Sequence, residues 1–275
     1  MHTSGTRPSS TPATRLLRGL VRLNKRTCDY LTRRFPVFFS SGGIERWPAS
    51  GYPDDVDYGQ LVIDAITRSV SQAGSPSILE VGGFDRPLVP RSTLRRLGAA
   101  SFSGLDPARP EDTSMYDAFF EQSIEEPIAA RFDLIYSMTV LEHVRDNSKA
   151  LSSIYHSLNP GGMSIHYVPS KSHPYSIILR AISNRVQRSL IRMLRPWAVE
   201  VTGYPAFFDQ CSPTEIRRLS QRVGFTDCRV TRFYRANDYF SFLVPAFVVV
   251  TTLENLCRLL RTDWGCSGFV VELKK

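Results

Sequence analysis

The alternation of short apolar runs with helical segments after residue 76 constrains the fold of this chain most. Four runs have the length and composition of buried strands: SILEV at 77–81, SFSGLD at 101–106, FDLIYSM at 132–138 and MSIHYV at 163–168. Helical periodicity follows at 90–98, 147–159 and 213–224. This alternation predicts an α/β fold, in which helices cover both faces of a parallel sheet. Two later runs, 228–235 and 268–275, predict an antiparallel closing pair.

The 275 residues divide into a tail, a basic segment and a main domain. Residues 1–13 are rich in Ser, Thr and Pro, which predicts a disordered tail. Residues 14–53 form the basic segment, with an amphipathic helix that begins at Thr14 as its N-cap. The main domain spans 54–275, opens with a helix that ends at Gly74, and carries insertions at 170–210 and 238–266.

Positive charge is concentrated outside the predicted sheet. Residues 1–50 contain nine basic and two acidic residues, and residues 171–205 contain six basic and one acidic residue. The remainder is mildly acidic, although the whole chain has a net charge of +8. Two such segments suit an anionic membrane surface or an acidic partner, whereas a nucleic-acid reader is more often basic across its whole working face. For the N-terminal helix, three interpretations stay open: a solvated helix, a membrane-surface helix or an organelle transit peptide.

The two insertions have different characters. In the first, apolar residues repeat at helical spacing with most arginines opposite them: Leu179, Ile182, Val186, Leu190 and Met193. The second holds fifteen uncharged residues interrupted by Pro245, fewer than the ~20 that a membrane-spanning helix needs. It is therefore predicted to be a buried element or an interfacial segment.

The five cysteines have neither disulfide-like nor zinc-like spacing, so no metal is expected and a reducing compartment fits best. The predicted location is cytoplasmic, with a peripheral position on the inner face of the membrane as the finer alternative.

The glycine turn after the first strand indicates a ligand site. In open parallel sheets, ligands bind at the carboxyl ends of the strands. A dinucleotide needs small residues and free N–H groups around its pyrophosphate, but Asp85 and Pro87 follow Gly82 and Gly83 here. S-adenosylmethionine has no phosphate, and its amino group favours carboxylates such as Glu80. Asp106 ends the next strand, where a carboxylate can accept hydrogen bonds from ribose hydroxyls.

The motifs ILEVGG, SGLDP and the run from Phe132 to Gly162, with LEHV before a helix and LNPGG after it, together resemble the class I S-adenosylmethionine-dependent methyltransferases, in particular their small-molecule and saccharide group. The resemblance implies a Rossmann-like, doubly wound, seven-stranded and mostly parallel sheet with an antiparallel closing strand. It also implies a set of cofactor contacts: Glu80, Gly82 and Gly83 at the methionine end, Asp106 at the ribose, Ser123 and Ile124 at the adenine, and Ser137 and Met138 beside the sulfonium.

The turn departs from the usual family pattern, because Phe84 and Arg86 replace its second and third glycines. Some relatives that modify saccharides or envelope components have a similar turn, so the departure does not imply a dead site. We expect Phe84 to pack beneath the turn and Pro87 to start the following helix.

The resemblance implies methyl transfer, and a hydroxyl acceptor would also need a general base. His143 and His173 are the candidate bases, and Tyr204, Phe208 and Asp209 are the candidate acceptor wall. The basic helices favour a small-molecule acceptor that is a saccharide or a lipid-linked envelope or secondary-metabolite intermediate. Two alternatives stay open: a catalytically silent protein that keeps the fold for interactions, and a nucleic-acid methyltransferase.

Overall fold

The computed structural model describes residues 12–39, 58–84, 86–182, 186, 189 and 205–275. Seven strands form one sheet in the order β3-β2-β1-β4-β5-β7-β6. Their bounds are β1 Ser77–Val81, β2 Ser101–Asp106, β3 Ala118–Glu121, β4 Phe132–Met138, β5 Leu158–Pro169, β6 Asp227–Phe233 and β7 Gly268–Lys274. β7 pairs antiparallel with both β5 and β6, whereas the other neighbours pair in parallel. The predicted Rossmann-like α/β fold with an antiparallel closing strand is confirmed.

Eight α-helices are described. They are α1 Pro12–Arg34, α2 Pro36–Phe39, α3 Tyr58–Ala73, α4 Arg91–Leu97, α5 Asn147–Ser157, α6 Pro174–Ala181, α7 Pro213–Val223 and α8 Val244–Leu260. Short 3₁₀ turns lie at Leu141–His143 and Asn237–Phe240.

Two expected helix boundaries are wrong. Thr14 lies inside α1, which begins at Pro12, so it is not the N-cap. Pro245 does not interrupt its apolar segment but lies in the first turn of α8, where a proline costs no helical hydrogen bond.

Each face of the sheet has its own apolar core. On one face, α5 and α7 pack against side chains such as Ile135, Val168 and Phe269. On the other face, α3 and α4 cover side chains such as Leu134 and Ile165. Both apolar cores extend across the central strands β1, β4 and β5. The ends of these strands are therefore held in place at the carboxyl edge of the sheet.

Both insertions start at the carboxyl edge of the sheet. β5 ends at Pro169 and β6 ends at Phe233, and both residues pair with Gly268 at the start of β7. The chain leaves the sheet at this edge after β5 and again after β6. The second insertion contains α8, and α1 and α2 pack on it through a small buried cluster of Cys28, Phe39 and Phe247. We call α1, α2 and α8 together the cap.

Candidate functional site

Three strand ends lie side by side at the carboxyl edge. Val81, the last residue of β1, is in register with Leu105 of β2 on one side and with Ser137 of β4 on the other. The glycine turn after β1, Asp106 at the end of β2 and Met138 at the end of β4 therefore share one rim. This is the place where open α/β sheets hold their ligands.

The turn after β1 depends on two glycines that have no room for a side chain. Gly82 has a φ of +80°, and a Cβ on it would lie 2.3 Å from Cγ2 of Val140 in the turn after β4. A Cβ on Gly83 would lie 2.4 Å from the Tyr116 hydroxyl. The N–H of Gly82 donates to the carbonyl of Leu105 at 2.8 Å, which ties the turn to β2. The turn is thus held close to the neighbouring loops on both sides.

Phe84 has a left-handed backbone with a φ of +44°, although it is not a glycine. Its side chain is half-buried, and Asp85 lies outside the described residues. The expected start of the next helix at Pro87 is wrong, because α4 begins at Arg91 with Pro90 as its N-cap. The intervening residues extend the loop, so no helix N-terminus follows the glycines directly.

The buried carboxylate of Glu80 stabilises the turn through two hydrogen bonds. Its side chain is buried, its Oε1 accepts the N–H of Leu88 at 2.7 Å, and its Oε2 accepts the hydroxyl of Tyr116 at 3.4 Å. Burial raises the pKa of Glu80 to about 7, although these hydrogen bonds lower it in part. Glu80 thereby bridges β1 to the far end of the loop.

Asp106 lies half-buried at the end of β2. Its Oδ1 accepts the N–H of Ala108 at 2.8 Å, and burial raises its pKa above the usual value. Its neighbour in register is Glu121 at the end of β3. Asp106 thus presents a carboxylate at the rim, in addition to stabilising its own loop.

The predicted adenine and sulfonium residues divide between rim and core. The Ser123 hydroxyl accepts the N–H of Glu125 at 3.2 Å, while Ile124 is buried in the core on the α5 side. The Ser137 hydroxyl is buried and lies 2.8 Å from Nδ1 of His166, whereas Met138 is 36% exposed. Met138 is therefore the exposed member of this set.

His143 ends the 3₁₀ turn after β4 and is partly exposed. Its Nδ1 lies 3.0 Å from the carbonyl oxygen of Pro205. Because a carbonyl only accepts, Nδ1 carries the proton and the lone pair of the neutral ring is on Nε2. Nε2 lies 3.7 Å from Oε1 of Glu142, a buried side chain whose pKa burial raises to about 8.

His173 is fully buried at the N-cap of α6. Its Nδ1 accepts the N–H of Tyr175 at 3.3 Å, and its Nε2 lies 3.0 Å from Oε1 of Glu254 in α8. Both ring nitrogens are engaged, so this ring has no lone pair to offer a substrate. The same Oε1 accepts the N–H of Ala236 at 2.7 Å, which joins the loops after β5 and β6 to α8.

The predicted acceptor wall is described in part. Tyr204 lies outside the described residues. Phe208 is buried with a φ of +53°, and its N–H donates to the carbonyl of Glu142 at 3.0 Å. The Asp209 carboxylate accepts the N–H of Asn147 at 2.9 Å at the start of α5. This segment is therefore fixed against the turn that carries His143.

Glu142 and Glu254 were not among the candidates from sequence. The sequence does contain a feature that could have pointed to Glu254, because it is the only acidic residue in α8. Glu142 has a weaker one, because it directly precedes the candidate base His143. For Glu254 the partner His173 comes from a distant segment, and spacing along the chain does not reveal it.

The chemistry of the rim fits S-adenosylmethionine. The carboxylate of Asp106 suits ribose hydroxyls, and the glycine turn leads into a loop without a helix N-terminus for a phosphate. Within the described ranges, no group of three or more metal-binding side chains comes together.

Comparisons with known proteins identify a family for this chain. A family model described as a methyltransferase domain matches residues 23–230. A search of curated proteins gave no match.

Solved structures with a similar fold include three methyltransferases. One is an S-adenosylmethionine-dependent methyltransferase from Archaeoglobus fulgidus, with 15% identity, 79% of this chain and 94% of that chain covered, and a TM-score of 0.45. A second S-adenosylmethionine-dependent methyltransferase, from Mesorhizobium loti, has 16% identity, coverage of 77% and 96%, and a TM-score of 0.44. The N-methyltransferase NodS from Bradyrhizobium japonicum has 13% identity, coverage of 92% and 98%, and a TM-score of 0.42.

Proposed function

The chain belongs to the class I S-adenosylmethionine-dependent methyltransferase family, and from this membership we propose that it methylates a hydroxyl of a saccharide or lipid-linked intermediate at a membrane surface. The observation that carries the proposal is the convergence of the glycine turn, Asp106 and Met138 on one rim of the sheet. Both insertions leave the sheet at the same carboxyl edge, where they would define an acceptor site.

The cofactor half of the site would use the turn and the ends of β2 and β4. Glu80 orders the turn so that Gly82 and Gly83 can approach the methionine end of the cofactor. Asp106 would accept hydrogen bonds from the ribose, Ser123 and Ile124 would flank the adenine, and Ser137 with Met138 would border the sulfonium side. When bound, the cofactor supplies an electrophilic methyl group on a cationic sulfur.

The acceptor half would use His143 as the general base. The proton that leaves the attacking hydroxyl would move to Nε2, since the carbonyl of Pro205 holds the proton of the neutral ring on Nδ1. Glu142 lies beside the ring, and burial raises its pKa to about 8.

His173 has a different proposed role. Its hydrogen bonds to Tyr175 and Glu254 hold α8 against the loop after β5. We assign it to positioning of the cap, and Phe208 and Asp209 to fixing the segment beside His143. Tyr204, which comes a few residues before this segment, is the proposed acceptor contact.

A transfer assay with fractionated acceptors tests the proposed function. Purified protein is incubated with S-adenosylmethionine labelled in its methyl group and with lipid, lipid-linked saccharide, aqueous metabolite, protein or nucleic-acid fractions. We expect label in the lipid or saccharide fractions, as a methyl ether that survives base treatment.

Label in nucleic acid would contradict the acceptor assignment. Failure to bind either S-adenosylmethionine or S-adenosylhomocysteine in calorimetry would instead support a silent interaction protein.

A further inference from the structure

Among the described residues, the exposed apolar side chains are concentrated on the cap and around α6. Among the described residues, all but two of the large exposed apolar side chains lie on the cap, around α6 or in the turns beside them. The two exceptions are Met138 and Phe207, which both border the candidate site. A patch confined to one part of a molecule marks an interaction surface, whereas singly scattered apolar residues do not.

α8 shows this most clearly, because it has two apolar faces. Its inner face packs on the protein through Phe247, Val250 and Cys257. Its outer face presents Val249 and Leu259, which are 66% and 79% exposed, together with Leu256 and Leu260. These four side chains recur at three-, four- and seven-residue steps and form one uncovered stripe.

α1 also has an exposed apolar stripe beside a buried face, and it carries positive charge in addition. Leu16, Leu20 and Leu23 form an exposed stripe, whereas Cys28 is buried on the neighbouring face. The helix also carries seven basic residues and one acidic residue: Arg15, Arg18, Arg22, Lys25, Arg26, Arg33 and Arg34 against Asp29.

α1 and α8 belong to one packed unit. The Asn24 side chain accepts the N–H of Val244 at 3.2 Å, and the Asn255 amide donates to the carbonyl of Phe38 at 2.9 Å. The rings of Phe39 and Phe247 stack with centroids 5.6 Å apart. The two exposed stripes are therefore held together when the protein meets a partner.

We infer that the cap is a docking surface for an anionic lipid bilayer, in which the outer stripes of α1 and α8 enter the interface and the basic residues of α1 contact the headgroups. Charge favours this occupant over a second copy of the chain, because two copies would bring like-charged α1 helices together. No helix within the described residues is long and apolar enough to cross a membrane. Trp264 and Tyr30, both exposed beside the stripes, are of the types enriched at the water–lipid interface.

The docking surface is linked to the site through α8. Glu254, on the inner side of this helix, contacts His173 after β5 and the backbone of Ala236 after β6. A bilayer bound to the outer stripe would thus lie next to the loops at the acceptor end of the sheet. That the acceptor arrives from the bilayer rests on the proposed function, but the docking itself does not.

Vesicle sedimentation with matched charge variants tests the inference. The intact protein is mixed with vesicles of phosphatidylcholine alone or with phosphatidylglycerol added. We expect binding to the anionic vesicles only. The triple variant R15Q/R18Q/R22Q should bind about a hundredfold more weakly, since three basic side chains near an anionic surface are removed. The control R96Q/R218Q/R229Q removes the same charge from exposed positions on the sheet domain and should bind like the wild type.

Apolar insertion is tested with L256S/L259S, which should weaken binding at least tenfold and leave the melting temperature unchanged, because both side chains are exposed. Equal losses in the two arginine triples, or no binding of the wild type, would overturn the inference. So would a stable dimer in light scattering that L256S/L259S dissociates, since a second copy would then be the occupant.

Calorimetry with S-adenosylhomocysteine on the same samples separates the two proposals. Vesicle binding without cofactor binding would remove the proposed function and leave the docking surface standing.

Discussion

At Phe84 the chain adopts a glycine-like backbone without a glycine. A left-handed conformation costs a bulky residue on the order of 1–2 kcal/mol, and it persists only where surrounding contacts fix it. Here the contacts are the bond from Gly82 to Leu105 and the bond from Leu88 to Glu80. Phe84 therefore keeps, at the position of the family's second glycine, a left-handed backbone that a glycine adopts readily.

Asp106 and Asp112 allow a matched test of the ribose assignment. Both accept the N–H two residues further along at 2.8 Å, but only Asp106 ends a strand at the rim. We expect D106A to weaken S-adenosylhomocysteine binding by about 1–3 kcal/mol, the range for a lost hydrogen bond to a charged group. D112A loses the same local bond and should leave affinity unchanged. Calorimetry measures both, and equal effects would mean that Asp106 only stabilises its loop.

Glu142 should make stability fall as the pH rises. Its folded pKa of about 8 lies above its ordinary 4.5, so the unfolded chain ionises first, and the stabilising contribution present below pH 4.5 is lost up to about pH 8. E142Q should flatten this decline by a few kcal/mol, because the amide does not titrate. Urea unfolding between pH 5 and 8.5 measures the effect. Exposed Glu126 is the control, and an E142Q curve parallel to that of E126Q would show that Glu142 is not desolvated.

Helices and strands were predictable from the sequence where burial of the segment dictates its pattern of apolar residues. β1, β2, β4 and β7 are buried along most of their length, so their apolar runs gave the correct strands. β3 was missed, since it is a four-residue edge strand without a buried side chain. The start of α8 was not predicted, because the N–H of its first residue, Val244, is bound by Asn24 of the distant α1. For the same reason Glu254 could not be paired with His173 from the sequence.

The two histidines belong to different elements and should respond differently to substitution. H173A leaves Glu254 buried without its imidazole partner and should destabilise the protein by about 3–5 kcal/mol. H143A removes a partly exposed ring and should cost little stability but lower kcat by about 10²–10⁴. Thermal unfolding and steady-state kinetics, once an acceptor is known, separate the two. A stable H173A that loses only kcat would make His173 the base.

On the scale of the whole molecule, the cap and the sheet domain differ in how they are held. The sheet has a continuous core on each face, whereas α1 and α2 attach to α8 through one small cluster around Phe247 and the hydrogen bonds of Asn24 and Asn255. α1 and α2 should therefore detach from α8 at a smaller free energy than the sheet needs to unfold. The exposed stripes and the basic residues of the cap would then contact a lipid surface instead of further protein. The weak attachment of α1 and α2 is in this way related to lipid docking.

Hydrogen exchange tests this difference directly. Without lipid, amides in α1 should exchange much faster than those in β4 and β5, since local opening breaks few buried contacts. Vesicles containing phosphatidylglycerol should slow exchange in α1 and α8 and leave the central strands unchanged, whereas phosphatidylcholine alone should have no effect. Equal protection of α1 and β5 in the absence of lipid would show that the cap unfolds only with the core. Anionic vesicles would then bind a surface that is already rigid.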